Sequence, residues 1–144
     1  MDSHLTDIAR VIQLAVAPVF LLTAIATMIN ALNTRLGRIV DRRRVVSERG
    51  AQAGANGNPA LETEIAMLVR RSALVYYAIF CAVLSALLVC LVVAGAFLGA
   101  LLGVDLARTV ASLFIAAMLA MIAGLSLFLR EVYLAVRAGS HNRP

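Results

Sequence analysis

The chain has 144 residues, 62% of them hydrophobic and 15% charged, and its net charge of +5 is carried by arginine alone because lysine is absent. That balance excludes an ordinary soluble domain, which is nearer half apolar and a quarter charged, and the long uninterrupted apolar runs point instead to bilayer-spanning helices. The arginines flank those runs, so they read as orientation signals and anionic-lipid contacts rather than as a nucleic-acid surface.

A first span is expected over residues 11–34. Asp2, Asp7 and Arg10 precede it, so the basic leader of a cleaved signal peptide is missing and the span is expected to be retained. Its polar residues Gln13, Thr23, Thr27, Asn30 and Thr34 fall within an arc of about 100° at helical periodicity. The same face continues to Arg38 and Asp41, Asn33 lies off it, and Pro18 invites a kink. A polar stripe on a spanning helix must meet protein or water. It serves either as hydrogen bonding between helices or as the lining of a water-filled path.

The loop that follows, residues 35–72, carries Arg35, Arg38, Arg42, Arg43, Arg44, Arg49, Arg70 and Arg71. Leu36, Ile39, Val40 and Val46, and later Leu61, Ile65 and Leu68, recur at helical spacing. Residues 50–59 between them are rich in Gly, Ala and Asn and read as a tip. The expected arrangement continues the first two spans into an antiparallel helical hairpin. Folding back at the tip brings Asp41 near Arg70, an expected ion pair, and Glu48 near Glu62 or its neighbours.

The second span is expected over 73–104 and the third over 107–129, joined by a tight turn. Cys81 and Cys90 lie on opposite faces of the second span, cannot pair with each other, and read as small buried apolar residues. Gly95, Gly99 and Gly103 on the second span, and Ala116, Ala120 and Gly124 on the third, repeat at every fourth position. Small residues at that spacing let helices approach closely in lipid. They serve contact within one chain or contact between copies.

The basic loop and the tail arginines Arg130, Arg137 and Arg143 outnumber Arg10 and Arg108 at the other ends. The positive-inside rule therefore puts the hairpin and C-terminus in the cytoplasm and the N-terminus outside, and Tyr76, Tyr77 and Tyr133 then share the cytoplasmic interface. The cluster Arg35, Arg38, Arg42, Arg43, Arg44, Arg70 and Arg71 is denser than orientation requires, which points to anionic headgroups.

Catalytic constellations are missing: no nucleophile elbow, phosphate-binding glycine loop or zinc spacing is present, and Ser85 and Ser126 have no base beside them in the sequence. Asp2, His4 and Asp7 make a weak external metal candidate at a terminus. The middle of each span lacks the ionisable residue that proton relays use. Neither an enzyme nor a cofactor is expected.

The stretch Ile12-Gln13-Leu14-Ala15 followed by Ala17-Pro18-Val19-Phe20-Leu21-Leu22, then Asn33-Thr34-Arg35-Leu36-Gly37-Arg38-Ile39-Val40-Asp41-Arg42, with Arg70-Arg71 before the second span, resembles the bacterial family catalogued as domain of unknown function 2721. The resemblance implies a small three-helix inner-membrane protein and directs attention to Pro18, Asn33, Arg35, Arg38, Asp41 and Arg42. It implies no activity.

The sequence thus leads to an all-α integral membrane protein forming one domain over residues 1–144. Two functions are expected. One is a homo-oligomeric structural or regulatory protein whose basic hairpin contacts anionic lipid or a partner. The other is a homo-oligomeric ion or small-solute channel lined by the stripe of the first span.

Overall fold

The computed structural model describes the backbone of residues 2–52 and 59–140, and the side chains of residue 13 and of residues 16–52 and 59–137. Three helices account for it: α1 (Asp2–Gln52), α2 (Pro59–Leu102) and α3 (Ala107–Ser140). Each carries a segment long and apolar enough to cross a membrane, so the chain is a multi-pass membrane protein. The expected all-helical architecture is present, and both expected loop helices are continuations of longer ones. Residues 53–58 of the expected tip, and the side chains of Asp2, His4 and Asp7, lie outside the described residues.

The helix ends follow from local chemistry. Pro59 opens α2, where a missing N–H costs nothing, and Glu62 in the first turn meets the positive end of the helix. At the other end Gly103 adopts φ +65°, a left-handed conformation that an L side chain resists. The Val104 amide then donates to the Gly99 carbonyl at 3.1 Å, closing the helix end in a Schellman motif. Asp105 accepts from the Ala107 amide at 3.0 Å and so starts α3. A link this short is why residues 103–106 suffice between the two helices.

Burial along each helix recurs every seven residues. Ile25, Leu32, Ile39 and Val46 are buried on α1, and Leu68, Val75, Ala82 and Val89 on α2. On α3 the series is Ala117, Gly124 and Glu131. A seven-residue step keeps one seam of a helix turned toward its neighbours, as in a coiled coil. Of the expected four-residue series on α3, Gly124 is buried and Ala120 half-buried, whereas Ala116 is exposed and its neighbour Ala117 takes the buried position.

The chain divides into two compact units, each drawing a segment from every helix. Unit 1 comprises Met1–Ile29 and Ala82–Ile122. Its centre is Ile25, Ala82, Val89 and Ala117, with Leu21, Leu22, Met28 and Met121 packed around them. Small residues at 82 and 117 bring backbones close enough for the Ser85 hydroxyl to donate to the Ala117 carbonyl at 2.8 Å. A Cβ on Gly95 would sit 3.3 Å from Val110 Cγ2, and one on Gly99 would sit 3.2 Å from the Val104 carbonyl oxygen. Gly95 therefore meets the start of α3, and Gly99 meets the link that precedes it.

Unit 2 comprises Asn30–Cys81 and Ala123–Pro144. Leu32, Ile39 and Val46 of α1 and Leu68, Val75 and Ala78 of α2 form its apolar interior. Cys81 and Cys90 are both free thiols, and Cys90 is exposed rather than buried as its apolar surroundings in the sequence suggested.

Candidate functional site

Unit 2 holds its ionic groups on the same seam that packs its apolar ones. Glu131 of α3 is 1% exposed. Its Oε2 accepts from Arg35 Nη1 at 3.0 Å, and its Oε1 accepts from Arg71 Nη2 at 2.8 Å and Nε at 3.3 Å. The carboxylate thus joins one arginine from α1 and one from α2. Burying a carboxylate is costly unless charge and hydrogen bonds compensate, and here both oxygens are engaged by cations. Arg35 also lies over the Phe128 ring at 5.1 Å, which fixes its guanidinium against α3.

A second pair lies farther along the same two helices. Arg42 Nη2 and Nε donate to Glu64 Oε1 at 2.7 and 3.0 Å. From the Glu131 clasp to this pair, the residue on α1 advances from Arg35 to Arg42 while the residue on α2 steps back from Arg71 to Glu64. Arg35, Arg38 and Arg42 follow one another at helical spacings of three and four, which sets them on one face of α1.

That face lines an open cavity of about 330 Å³ bounded by Arg35, Arg38, Ile39, Arg42, Leu68, Arg71 and Glu131. Four guanidiniums therefore line the cavity, two of them bound to the Glu131 carboxylate. Glu131 and Glu64 balance two of them, which leaves two positive charges in excess. Arg38 is exposed and takes part in no ion pair among the described residues.

The other expected contacts fall out differently. Asp41 and Arg70 are both exposed and make no ion pair with each other among the described residues. The pairs that form, Arg42 with Glu64 and Arg71 with Glu131, use the neighbouring residue on each helix. One residue is about 100° of rotation, enough to move a side chain from the seam to the outer surface. Glu48 is bound by Arg44 one turn earlier on α1, at 3.3 Å. Arg43 lies on the exposed side of α1, and Tyr76, Tyr77 and Tyr133 are exposed, with Arg137 over the Tyr133 ring at 5.6 Å.

The stripe of the first span takes no part in holding either unit together. Gln13, Thr23, Thr27, Asn30 and Thr34 are all exposed. The three threonines return their hydroxyls to their own helix: Thr23 to the Val19 carbonyl at 3.0 Å, Thr27 to Thr23 at 2.9 Å and Thr34 to Asn30 at 3.0 Å. That satisfies the hydroxyls without a neighbouring helix. It leaves the Asn30 amide as the stripe's outward polar group at mid-helix.

Three site residues escaped the sequence reading: Glu131, Glu64 and Ser85, the last noted only as an improbable nucleophile. Glu131 had one available signal, being the only acid after Asp105 in a tail that also carries Arg130, Arg137 and Arg143. A metal site of three or more His, Cys, Asp or Glu side chains is absent among the described residues.

A family model described as protein of unknown function (DUF2721) matches residues 15–140. Neither a curated protein nor a solved structure matches the chain.

Proposed function

The chain belongs to the DUF2721 family, and from that premise we propose that it is a small structural or regulatory protein of the bacterial inner membrane, without enzymatic activity, that assembles as a homo-oligomer and contacts anionic lipid or a partner protein through a basic cytoplasmic hairpin formed by α1 and α2. In this reading the N-terminus is outside and the C-terminus cytoplasmic, as the arginine distribution favours. The observation that carries it is the surplus of guanidinium in the cavity of unit 2: four arginines line it, more than the local carboxylates neutralise. Orientation alone needs arginines near the membrane. It does not need them converged on a concave surface.

Assembly has its own support. Thr23, Thr27, Asn30 and Thr34 are exposed on α1, and a polar amide facing hydrocarbon is costly, so a neighbouring copy supplies the natural cover. The same observation favours a second reading, a ring of copies whose stripe lines a channel. Native mass spectrometry of the protein in nanodiscs tests both. An oligomer that retains anionic lipid is expected, and a monomer indifferent to lipid charge would overturn the proposal. The Thr27→Leu, Asn30→Leu double variant then separates the readings. Lost assembly supports bonding between helices, whereas lost ion flux from an intact oligomer supports a channel.

A further inference from the structure

Resting on the lipid-contact reading above, we propose that the cavity of unit 2 is a specific site for a phosphate-bearing anion, with Arg38 as its free donor and Arg35, Arg42 and Arg71 as flanking donors.

Three features separate this cavity from the rest of the basic surface. Its arginines converge from α1 and α2 on a common concavity of about 330 Å³, a size that suits a phosphate group with its immediate substituents. Its guanidiniums are already positioned: Arg35 and Arg71 are held by Glu131, and Arg42 is held by Glu64. Each uses only part of its five-donor fork on those carboxylates, so N–H groups remain for a second anion. Finally, Arg38 is within the cavity and has no carboxylate to engage it among the described residues. Guanidinium recognises phosphate through paired N–H groups, and preorganised donors bind it at less entropic expense than mobile ones.

Arg43, Arg44 and Arg70 offer a contrast at equal charge. They lie outside the cavity, Arg43 and Arg70 on the exposed surface and Arg44 tied to Glu48. Aromatic placement supports a headgroup source. Tyr76 follows Arg71 on α2 by ~7.5 Å of helical rise, and exposed Tyr133 follows Glu131 on α3 by two residues. Tyrosine side chains of this kind collect at the headgroup level of membranes.

The test uses the full chain, Arg38→Gln and Arg43→Gln, both changes falling on exposed side chains. Each protein is reconstituted in nanodiscs of phosphatidylcholine with increasing phosphatidylglycerol, extracted into detergent, and assayed for retained phospholipid by native mass spectrometry. Inorganic phosphate is titrated against the same detergent samples, with thermal unfolding as readout. Arg38→Gln is expected to lower phosphatidylglycerol retention about tenfold at unchanged melting temperature, the worth of a charge-assisted hydrogen bond, while Arg43→Gln changes it less than about twofold. Stabilisation by millimolar phosphate in the wild type but not in Arg38→Gln, without lipid retention, assigns the site to free phosphate and also supports it. Equal losses from both variants would overturn the site and leave diffuse lipid attraction standing. No preference for phosphatidylglycerol in the wild type, together with no response to phosphate, would overturn both the site and the lipid reading.

Discussion

The two units hold the same three helices together by different chemistry. In unit 1 Ile25, Ala82, Val89 and Ala117 form the buried centre, and the Ser85 hydroxyl bonds across it to the Ala117 carbonyl. In unit 2 an apolar seam of comparable spacing ends in Glu131, clasped by Arg35 and Arg71. Charge divides as sharply: ten of the twelve arginines among the described residues fall within unit 2. The difference follows from what each surrounding solvent rewards. Between helices in lipid, close van der Waals contact and satisfied polar groups are the available forces, so small side chains dominate. Where arginine heads reach water, a partly shielded ion pair becomes a workable fastening. It also holds its two cations at fixed positions.

Glu131→Ala should produce the largest effect. It leaves Arg35 and Arg71 without their shared carboxylate; because their side chains remain 39% and 23% exposed, the loss should be about 3 kcal/mol, the lower end of the range for broken buried pairs. Thermal unfolding in detergent measures it, and a loss under about 1 kcal/mol would mean that the clasp is not structural. Ala117→Leu probes the other unit. Ala117 is fully buried against Ile25, Ala82 and Val89, so the added volume must separate helices, at about 2 kcal/mol of overpacking. If unit 1 accepts leucine there without loss, close approach is not what holds it.

Ser85→Ala should cost about 1 kcal/mol, since bonds between helices in membranes are individually modest and the Ala117 carbonyl keeps its place within α3. Asp41→Asn should change stability by less than about 0.5 kcal/mol, because Asp41 is exposed and enters no ion pair among the described residues. A larger change in the same unfolding assay would restore the Asp41–Arg70 pairing that the residue pattern suggested. The four variants together sharpen the contrast between a unit sensitive to volume and a unit sensitive to charge.

Much of the architecture was legible before any coordinates. Apolar runs of this length become helices because every backbone N–H and C=O must be satisfied internally in lipid, whatever lies beside them. The helical spacing of Leu36, Ile39, Val40 and Val46, and of Leu61, Ile65 and Leu68, likewise announced that these stretches are helical, and both are continuous parts of α1 and α2. The arginines of the cavity were visible as a cluster, since Arg35, Arg38 and Arg42 share one helix face by spacing alone. Backbone periodicity and solvent preference are local properties, and a sequence carries local properties openly.

What the tertiary structure decided was rotation and register. The stripe of Thr23, Thr27, Asn30 and Thr34 could be assigned to one face of α1, but only packing shows that this face is turned away from the chain's own interior. Choosing Arg42 and Arg71 over Asp41 and Arg70 as the paired residues depends on a single step of helical rotation. Glu131 finds Arg71 at a separation of 60 residues and Arg35 at 96. Contacts across such distances depend on which seams three helices share, and that is settled by the fit of all three together rather than by any one stretch of chain.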